Sequence, residues 1–137
     1  LRLARNEAGG SRSRPEGTVS QADIFSARKA VLDIHMAPAV EEYIIQLIVG
    51  TREPDHYDSE LAGWLEYGAS PRATIALDRC ARANAWIAGR DYVSPDDVQA
   101  VALDCLRHRL IVSFEAEAAG VSSDQIIGRL IERIPVA

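Results

Sequence analysis

The sequence has few aromatic residues and no long hydrophobic run. Aromatics make up only 6% of the 137 residues and alanine is frequent, which favours closely packed helices over a β-sandwich. Apolar runs such as Leu110-Ile111-Val112 are far too short to span a membrane, and no secretory signal is present. The net charge is −5, whereas non-specific nucleic-acid binding requires an excess of basic residues. We therefore expect neither a membrane nor nucleic acid as a partner.

The motifs of several common chemistries are also missing. No GxxxxGK[ST] phosphate loop is present, so the chain cannot hold a nucleotide in that standard manner. No HExxH, CxxC or EF-hand pattern predicts a metal site, and the three histidines are well separated. Acid pairs such as Glu41-Glu42 point in different directions on a helix, which argues against a catalytic dyad. We predict no catalytic residue and no metal ligand in this chain.

Two cysteines, Cys80 and Cys105, lie far apart within helical patterns. We interpret them as buried thiols in a reducing compartment, with a disulfide as the alternative. Together with the missing secretory signal, this interpretation predicts a cytoplasmic protein. Because the chain begins at Leu1 and its one methionine is Met36, we also expect a fragment of a longer protein.

Helical periodicity dominates the rest of the chain. Residues 1–18 lack it and predict a flexible linker or arm, ahead of a helical domain at 19–137. Predicted helices begin at Ser20, near Pro38, at about Pro71, at Ser94 and near Ser122 or Ser123, with Gly50 and Gly89 closing the second and third. Their predicted apolar faces include Ile24, Ala27, Val31 and Ile34 in the first helix, and Val40, Tyr43, Ile44, Leu47 and Ile48 in the second. The fold class is therefore all-α, a small bundle of four to five helices.

Two connecting segments are less regular. The apolar run 110–114 predicts a short strand that pairs with 64–67, which adds a two-stranded β element to the bundle. Segment 53–66 carries five acids and no Lys or Arg, interleaved with aromatic residues that include Tyr57 and Trp64. We interpret this segment as a loop that packs its aromatics on the bundle, and a protein-binding surface is the alternative.

The run Ser70-Pro71-Arg72 predicts a helix start with an unusual charge. Serine is a preferred cap, and proline suits the first helical turn. The positive charge of Arg72 is unfavourable at the positive end of the helix macrodipole unless an anion binds beside it. Such an anion would also accept hydrogen bonds from the free backbone N–H groups of the first turn. Phosphate is the obvious candidate ligand. The alternative is a surface arginine paired with an acid such as Asp55 or Glu66.

Several ordered motifs resemble one family. The runs GASPRAT at 68–74, GRDYVSPDDV at 89–98 and LRHRL at 106–110 are similar to the lid of MoxR-type AAA+ ATPases. TRE at 51–53 and IPV at 134–136 also fit, so the resemblance covers about residues 18–137. It implies a C-terminal lid that follows an α/β core carrying the phosphate loop, the Mg-binding acids and the arginine finger. Since this chain has none of those parts, we expect no ATP hydrolysis by the fragment and no cofactor bound to it.

The same resemblance implies roles for individual residues. Arg72 matches the second sensor residue, which approaches the phosphates of ATP, bound with Mg in the parent protein. Ser70 and Pro71 complete this nucleotide-binding set as the cap and the helix start. Arg52, Arg107 and Arg109 are expected to contact the core, a neighbouring subunit or solvent, with ordinary surface pairing as the alternative.

Partners also follow from the resemblance. Family members assist the assembly or maturation of protein complexes, form rings that are typically hexamers, and often work with von Willebrand factor A-type partners. The expected partners are thus the missing core and neighbouring subunits, and we expect the fragment alone to be a monomer. The competing hypothesis is a stand-alone helical module that binds a protein through segment 53–67.

Overall fold

The computed structural model describes residues 17–136, and within them the chain forms seven α-helices and four short strands. The helices are α1 (Gln21–Leu32), α2 (Pro38–Arg52), α3 (Ser59–Trp64), α4 (Arg72–Ile87), α5 (Pro95–Leu106), α6 (Phe114–Ala118) and α7 (Ser123–Arg133). The strands are β1 (His35–Met36), β2 (Leu65–Tyr67), β3 (Tyr92–Val93) and β4 (Ile111–Val112). Single 3-10 turns cover Pro54–His56 and Arg107–Arg109. None of the helices in this range is long and apolar enough to cross a membrane.

The predicted all-α bundle is confirmed, with α3 and α6 as short additions to the five predicted helices. Each of α1, α5 and α7 begins with a capping box. The pairs are Ser20 with Asp23, Ser94 with Asp97, and Ser122 with Gln125. Gly89, at φ +75°, ends α4 as predicted, because a left-handed residue after a helix favours glycine. The predicted arm falls largely on residues 1–16, which lie outside the described residues.

Helix α4 lies at the centre of the bundle. It contacts α1, α2, α5 and β3, and its buried side chains are mostly alanine, which lets neighbouring helices approach closely. The buried residues of α4 are Ala73, Leu77, Ala81 and Ala85. All five predicted apolar residues of α2 are buried, and so are Ile126, Ile127 and Leu130 of α7. The core therefore lies between α2, α4, α5 and α7.

Two strand pairs join the loops. β2 pairs antiparallel with β4, which confirms the predicted pairing of the 110–114 run with 64–67. β1 pairs in parallel with β3, and this pair was not predicted because two residues are too few for a period-two pattern. It ties the loop before α2 to the loop before α5.

One prediction about helices was right in part and another was wrong. Of the predicted face of the first helix, Ile34 is buried just after α1 ends, and Ala27 and Val31 are half-buried. Ile24 is exposed, because α1 packs on α4 from outside. Gly50 does not close α2, which continues to Arg52. Instead, an added Cβ at Gly50 would lie 2.8 Å from Ile134 Cδ1, so glycine here permits close packing beside α7.

Candidate functional site

The start of α4 is clamped onto the end of α2. The Thr51 hydroxyl, which is buried, donates to the Ile48 carbonyl at 2.7 Å and accepts from the Ala69 N–H at 2.9 Å. An added Cβ at Gly68 would lie 2.1 Å from the Thr51 carbonyl oxygen, so only glycine allows this approach. The backbone that precedes Arg72 is therefore held in a fixed place.

Arg72 is the first residue of α4 and is exposed. Within residues 17–136 it forms no ion pair, so the alternative pairing with Asp55 or Glu66 is absent there. No acidic residue occupies the first turn of α4 either. A guanidinium with no anion beside it, at the positive end of a sixteen-residue helix, is a favourable place for an anionic ligand.

Ser70 and Pro71 do not have the predicted capping geometry. Pro71 occupies the cap position, and no side chain caps α4, so the prediction that the Ser70 side chain caps it was wrong. The Ser70 carbonyl instead accepts from the Ala73 N–H at 2.8 Å, and the Pro71 carbonyl accepts from the Thr74 N–H at 3.1 Å. Because these two donors are already used, an anion bound here would be contacted mainly by the Arg72 guanidinium, with the exposed Ser70 hydroxyl beside it in sequence.

The other predicted arginines have different surroundings. Arg52 is exposed and its backbone nitrogen lies beside Gly68, so it shares the junction between α2 and α4. Arg107 forms two hydrogen bonds to Asp124, at 2.9 and 3.0 Å, which tie the end of α5 to the start of α7. Arg109 donates to the Cys105 carbonyl at 2.8 Å, as a cation near a helix C-terminus often does. Arg107 and Arg109 therefore have partners within the domain.

The buried carboxylate of Asp97 accepts hydrogen bonds from several segments, and the sequence did not predict this network. The carboxylate accepts two hydrogen bonds of 2.5 Å from Arg90 and further ones from Asn84 and from the backbone and hydroxyl of Ser94. The hydrogen bonds from Arg90 are the main reason that the pKa of Asp97 lies well below its usual range. The capping box predicts the contact with Ser94, but no local pattern signals that Asn84 and Arg90 also converge on this carboxylate.

The acidic segment packs Tyr57 and Trp64 on the bundle, as predicted, but it is not a loop, because it contains a 3-10 turn, α3 and the start of β2. Asp58 accepts from Arg129 at 2.6 Å and pairs with Arg133 at 3.3 Å, which lowers the pKa of Asp58. The Arg129 guanidinium also lies 4.9 Å from the centre of the Trp64 ring. These contacts neutralise part of the segment's charge and hold one of its aromatics on the bundle. Tyr67, 63% exposed, is the aromatic residue that this packing leaves open.

The two cysteines are both free, but only Cys105 is buried. The prediction that Cys80 is buried was wrong, because its position lies at the margin of the buried face of α4. Burial, together with contact with the Cys80 thiol, raises the pKa of Cys105 to about 12. Cys105 is therefore a core residue rather than a reactive thiolate.

Comparisons with known proteins agree with this architecture. A family model described as the AAA lid domain matches residues 62–130. The chain is 32% identical over 117 residues to Chaperone MoxR1 of Mycobacterium tuberculosis, covering 85% of this chain and 31% of that protein. It is 32% identical over 109 residues to Protein MoxR of Methylorubrum extorquens, covering 74% of this chain and 32% of that protein. The crystal structure of a candidate ATPase from Cytophaga hutchinsonii matches with a TM-score of 0.87 and 36% identity, over 99% of this chain and 42% of that one.

The helical fold and these matches define an AAA lid domain. The chain belongs to this family, as the lid of a MoxR-type AAA+ ATPase. It spans about a third of the length of the curated relatives that it matches.

Proposed function

We propose that this lid senses nucleotide in a MoxR-like ATPase, and that Arg72 is the sensing residue. The observation that supports this role most directly is the exposed Arg72 guanidinium, which has no ion pair in the described part of the chain and lies at the positive end of α4. A guanidinium donates two parallel hydrogen bonds to phosphate oxygens, which gives directional recognition. Ser70 and Pro71 place Arg72 at the helix start, and the Ser70 hydroxyl is free to donate to the same anion.

The clamp at Thr51 explains how such a contact could move the whole domain. Arg72 is joined through Ala69 and Thr51 to α2, and through α4 to the core of the lid. A contact that is stronger when the γ-phosphate is present favours one orientation of the lid, and its loss releases that orientation. The lid would in this way convert ATP hydrolysis elsewhere in the polypeptide into domain rotation.

The rest of the parent protein supplies the chemistry in this proposal. ATP and Mg would be bound by the nucleotide-binding core, and the lid would contribute Arg72 to the phosphates. One relative is named a chaperone, and we propose a comparable cytoplasmic role for the parent protein in assembling or maturing protein complexes. Neighbouring subunits of a ring and a von Willebrand factor A-type protein are its proposed partners.

The test is ATP turnover by the full-length parent protein. We expect Arg72→Ala to lower turnover about tenfold or more, because a charge-assisted contact to phosphate is lost. Arg72→Lys should restore only part of the activity, since an ammonium cannot make the bidentate contact. Lys29→Ala removes an exposed cation from α1 and is the matched control, expected to leave turnover unchanged.

Circular dichroism and thermal unfolding would show that each variant is folded. Turnover by folded Arg72→Ala at the wild-type rate would refute the sensing role. That result would favour the alternative, a protein-binding surface at 53–67. Replacing Trp64 and Tyr67 and measuring partner binding would test this alternative.

A further inference from the structure

The two cysteines of the chain meet between two packed helices. Cys80 lies on α4 and Cys105 on α5, and α4 packs closely on α5. The Cys80 thiol contacts the Cys105 thiol, and both are free. Because this contact joins two helices, it depends on the packing of the lid and not on a local sequence pattern. Two thiols in contact can be oxidised to a disulfide, a reaction that the proposed function does not use.

The two thiols differ in their access to solvent. Cys80 is exposed, whereas Cys105 is 6% exposed and lies on the buried face of α5 with Val98 and Ala102. A dissolved oxidant therefore reaches Cys80 first, because oxidation of a cysteine follows its exposure. The pair consequently has an order, with one thiol that meets the oxidant and a second thiol that lies behind it.

A shared metal ion fits the pair less well than oxidation does. Metal sites built on thiolates use three or four side-chain ligands. Within residues 17–136, no group of three His, Cys, Asp or Glu side chains is placed to hold an ion. Redox chemistry needs only the two sulfurs, so it is the reaction that this pair suits.

Cys105 is unreactive as long as Cys80 is reduced. Burial is the main reason that the pKa of Cys105 rises to about 12, and contact with the Cys80 thiol and the negative charge of its thiolate add to the rise. Oxidation of Cys80 to an uncharged sulfenic acid removes that negative charge, while the nearby cation of Arg109 continues to favour the Cys105 thiolate. The two sulfurs are also held in contact, which gives a reaction within one molecule a high effective concentration.

We propose that Cys80 and Cys105 form a redox modification site, in which a peroxide oxidises Cys80 and Cys105 then closes a disulfide between α4 and α5. In the first step the Cys80 sulfur attacks hydrogen peroxide, so that an S–O bond forms, the O–O bond breaks and one water leaves. In the second step the Cys105 sulfur attacks the Cys80 sulfur, an S–S bond forms, and the S–O bond breaks. The hydroxyl group leaves with the Cys105 proton as a second water. Two thiols thus lose two electrons and two protons, and one peroxide is reduced to two waters.

The disulfide would protect Cys80 from irreversible damage. A sulfenic acid without a neighbouring thiol is oxidised further to a sulfinic acid, which ordinary thiols do not reduce. A disulfide, in contrast, is reversed by exchange with a thiol. The inference is independent of the sensing role of Arg72, because neither cysteine belongs to the proposed phosphate site.

Peptide mapping of the full-length parent protein after treatment with hydrogen peroxide tests this site. Free thiols are blocked with iodoacetamide before a tryptic digest without reductant. Cleavage at arginines 79, 82, 90 and 107 places Cys80 in peptide 80–82 and Cys105 in peptide 91–107, so the disulfide appears as these two peptides linked. We expect the linked pair to contain most of Cys105 and to disappear after dithiothreitol. Cys80 linked to a second copy of itself, or both cysteines still blocked by iodoacetamide, would overturn the proposal.

A variant tests the protective role of Cys105. Cys105→Ala should raise the yield of Cys80 sulfinic acid about tenfold over wild type at the same peroxide dose, because no thiol is left to intercept the sulfenic acid. Cys80→Ser is the matched control, expected to leave Cys105 reduced because its thiol is buried. Circular dichroism would show that both variants are folded, and the wild-type peptide map needs neither of them. Equal yields of sulfinic acid in wild type and Cys105→Ala would contradict the proposal.

Discussion

At the scale of single residues, Thr51 links two helices through one hydroxyl. It donates to the Ile48 carbonyl in α2 and accepts from the Ala69 N–H, three residues before Arg72. Ser70, although it resembles a helix cap in sequence, makes no capping hydrogen bond with its side chain. The position of the α4 start therefore depends on Thr51 and not on the Ser70 hydroxyl.

We predict that Thr51→Val destabilises the chain by about 1–3 kcal/mol, because valine has a similar shape but leaves the buried Ala69 N–H without an acceptor. Ser70→Ala should change the free energy of unfolding by less than about 0.5 kcal/mol, as expected for a surface substitution without a special contact. Urea unfolding of both variants measures this difference. If Ser70→Ala were the more costly change, the hydroxyl of Ser70 would be the cap after all.

At the scale of elements, the Asp97 network fixes the turn between α4 and α5. Arg90 follows the end of α4, Ser94 caps α5, and Asn84 lies in the last turn of α4. Four donor groups from three segments thus meet on one carboxylate. Because the carboxylate is buried, its removal would leave the Arg90 guanidinium without its main partner.

We predict that Asp97→Asn lowers the free energy of unfolding by about 2–3 kcal/mol at pH 7, since charge-assisted hydrogen bonds are lost. The pKa of Asp97 is lowered in the folded state, so its stabilisation is fully present above the ordinary carboxyl pKa of 3.8 and is lost as pH falls through the lower, folded value. The difference between wild type and variant should therefore stay constant from pH 7 to about pH 5 and shrink below about pH 4.

Denaturant unfolding at several pH values measures this profile. Asp96→Asn is the matched control, because Asp96 is exposed and precedes Asp97 in the same helix turn. A difference for Asp97→Asn that does not shrink on acidification would show that the carboxylate's charge is not the source of its stabilisation.

The elements themselves differ in how far the sequence predicts them. Periodicity identifies α2, α4, α5 and α7 because each buries one face of a single helix, and this is a local property. It overstates the burial of α1, whose apolar residues are as regular as those of α2 but which packs mainly on α4 and leaves Ala27 and Val31 half-buried. The Asp97 network and the β1–β3 pair depend on which segments meet in space, so helical spacing alone does not contain them. The helix-start motif identifies Arg72. Which backbone N–H groups beside it already have an acceptor is known only from the backbone geometry.

At the scale of the whole molecule, the lid has the features of a rigid lever. The clamp at Thr51 joins α2 to α4, the Asp97 network joins α4 to α5, and the Arg107–Asp124 pair joins α5 to α7, so the described domain should move as a unit. A contact made at Arg72 then acts on the position of every other helix. The proposed sensing role therefore predicts a nucleotide-dependent change in distance between lid and core, and not a change in the fold of the lid.

We predict that this distance, measured in the full-length parent protein by electron spin resonance between a label at Ala118 and one in the core, differs between the ATP-bound and ADP-bound states. Ala118 is exposed on α6, so a label there should not disturb the hydrophobic core of the lid. In Arg72→Ala the two distances should become equal, because the lid no longer gains contact energy from the γ-phosphate. Lys29→Ala should keep the difference. If Arg72→Ala retained the full change in distance, the lid would be moved by the core alone, and Arg72 would not be the residue that couples nucleotide to lid position.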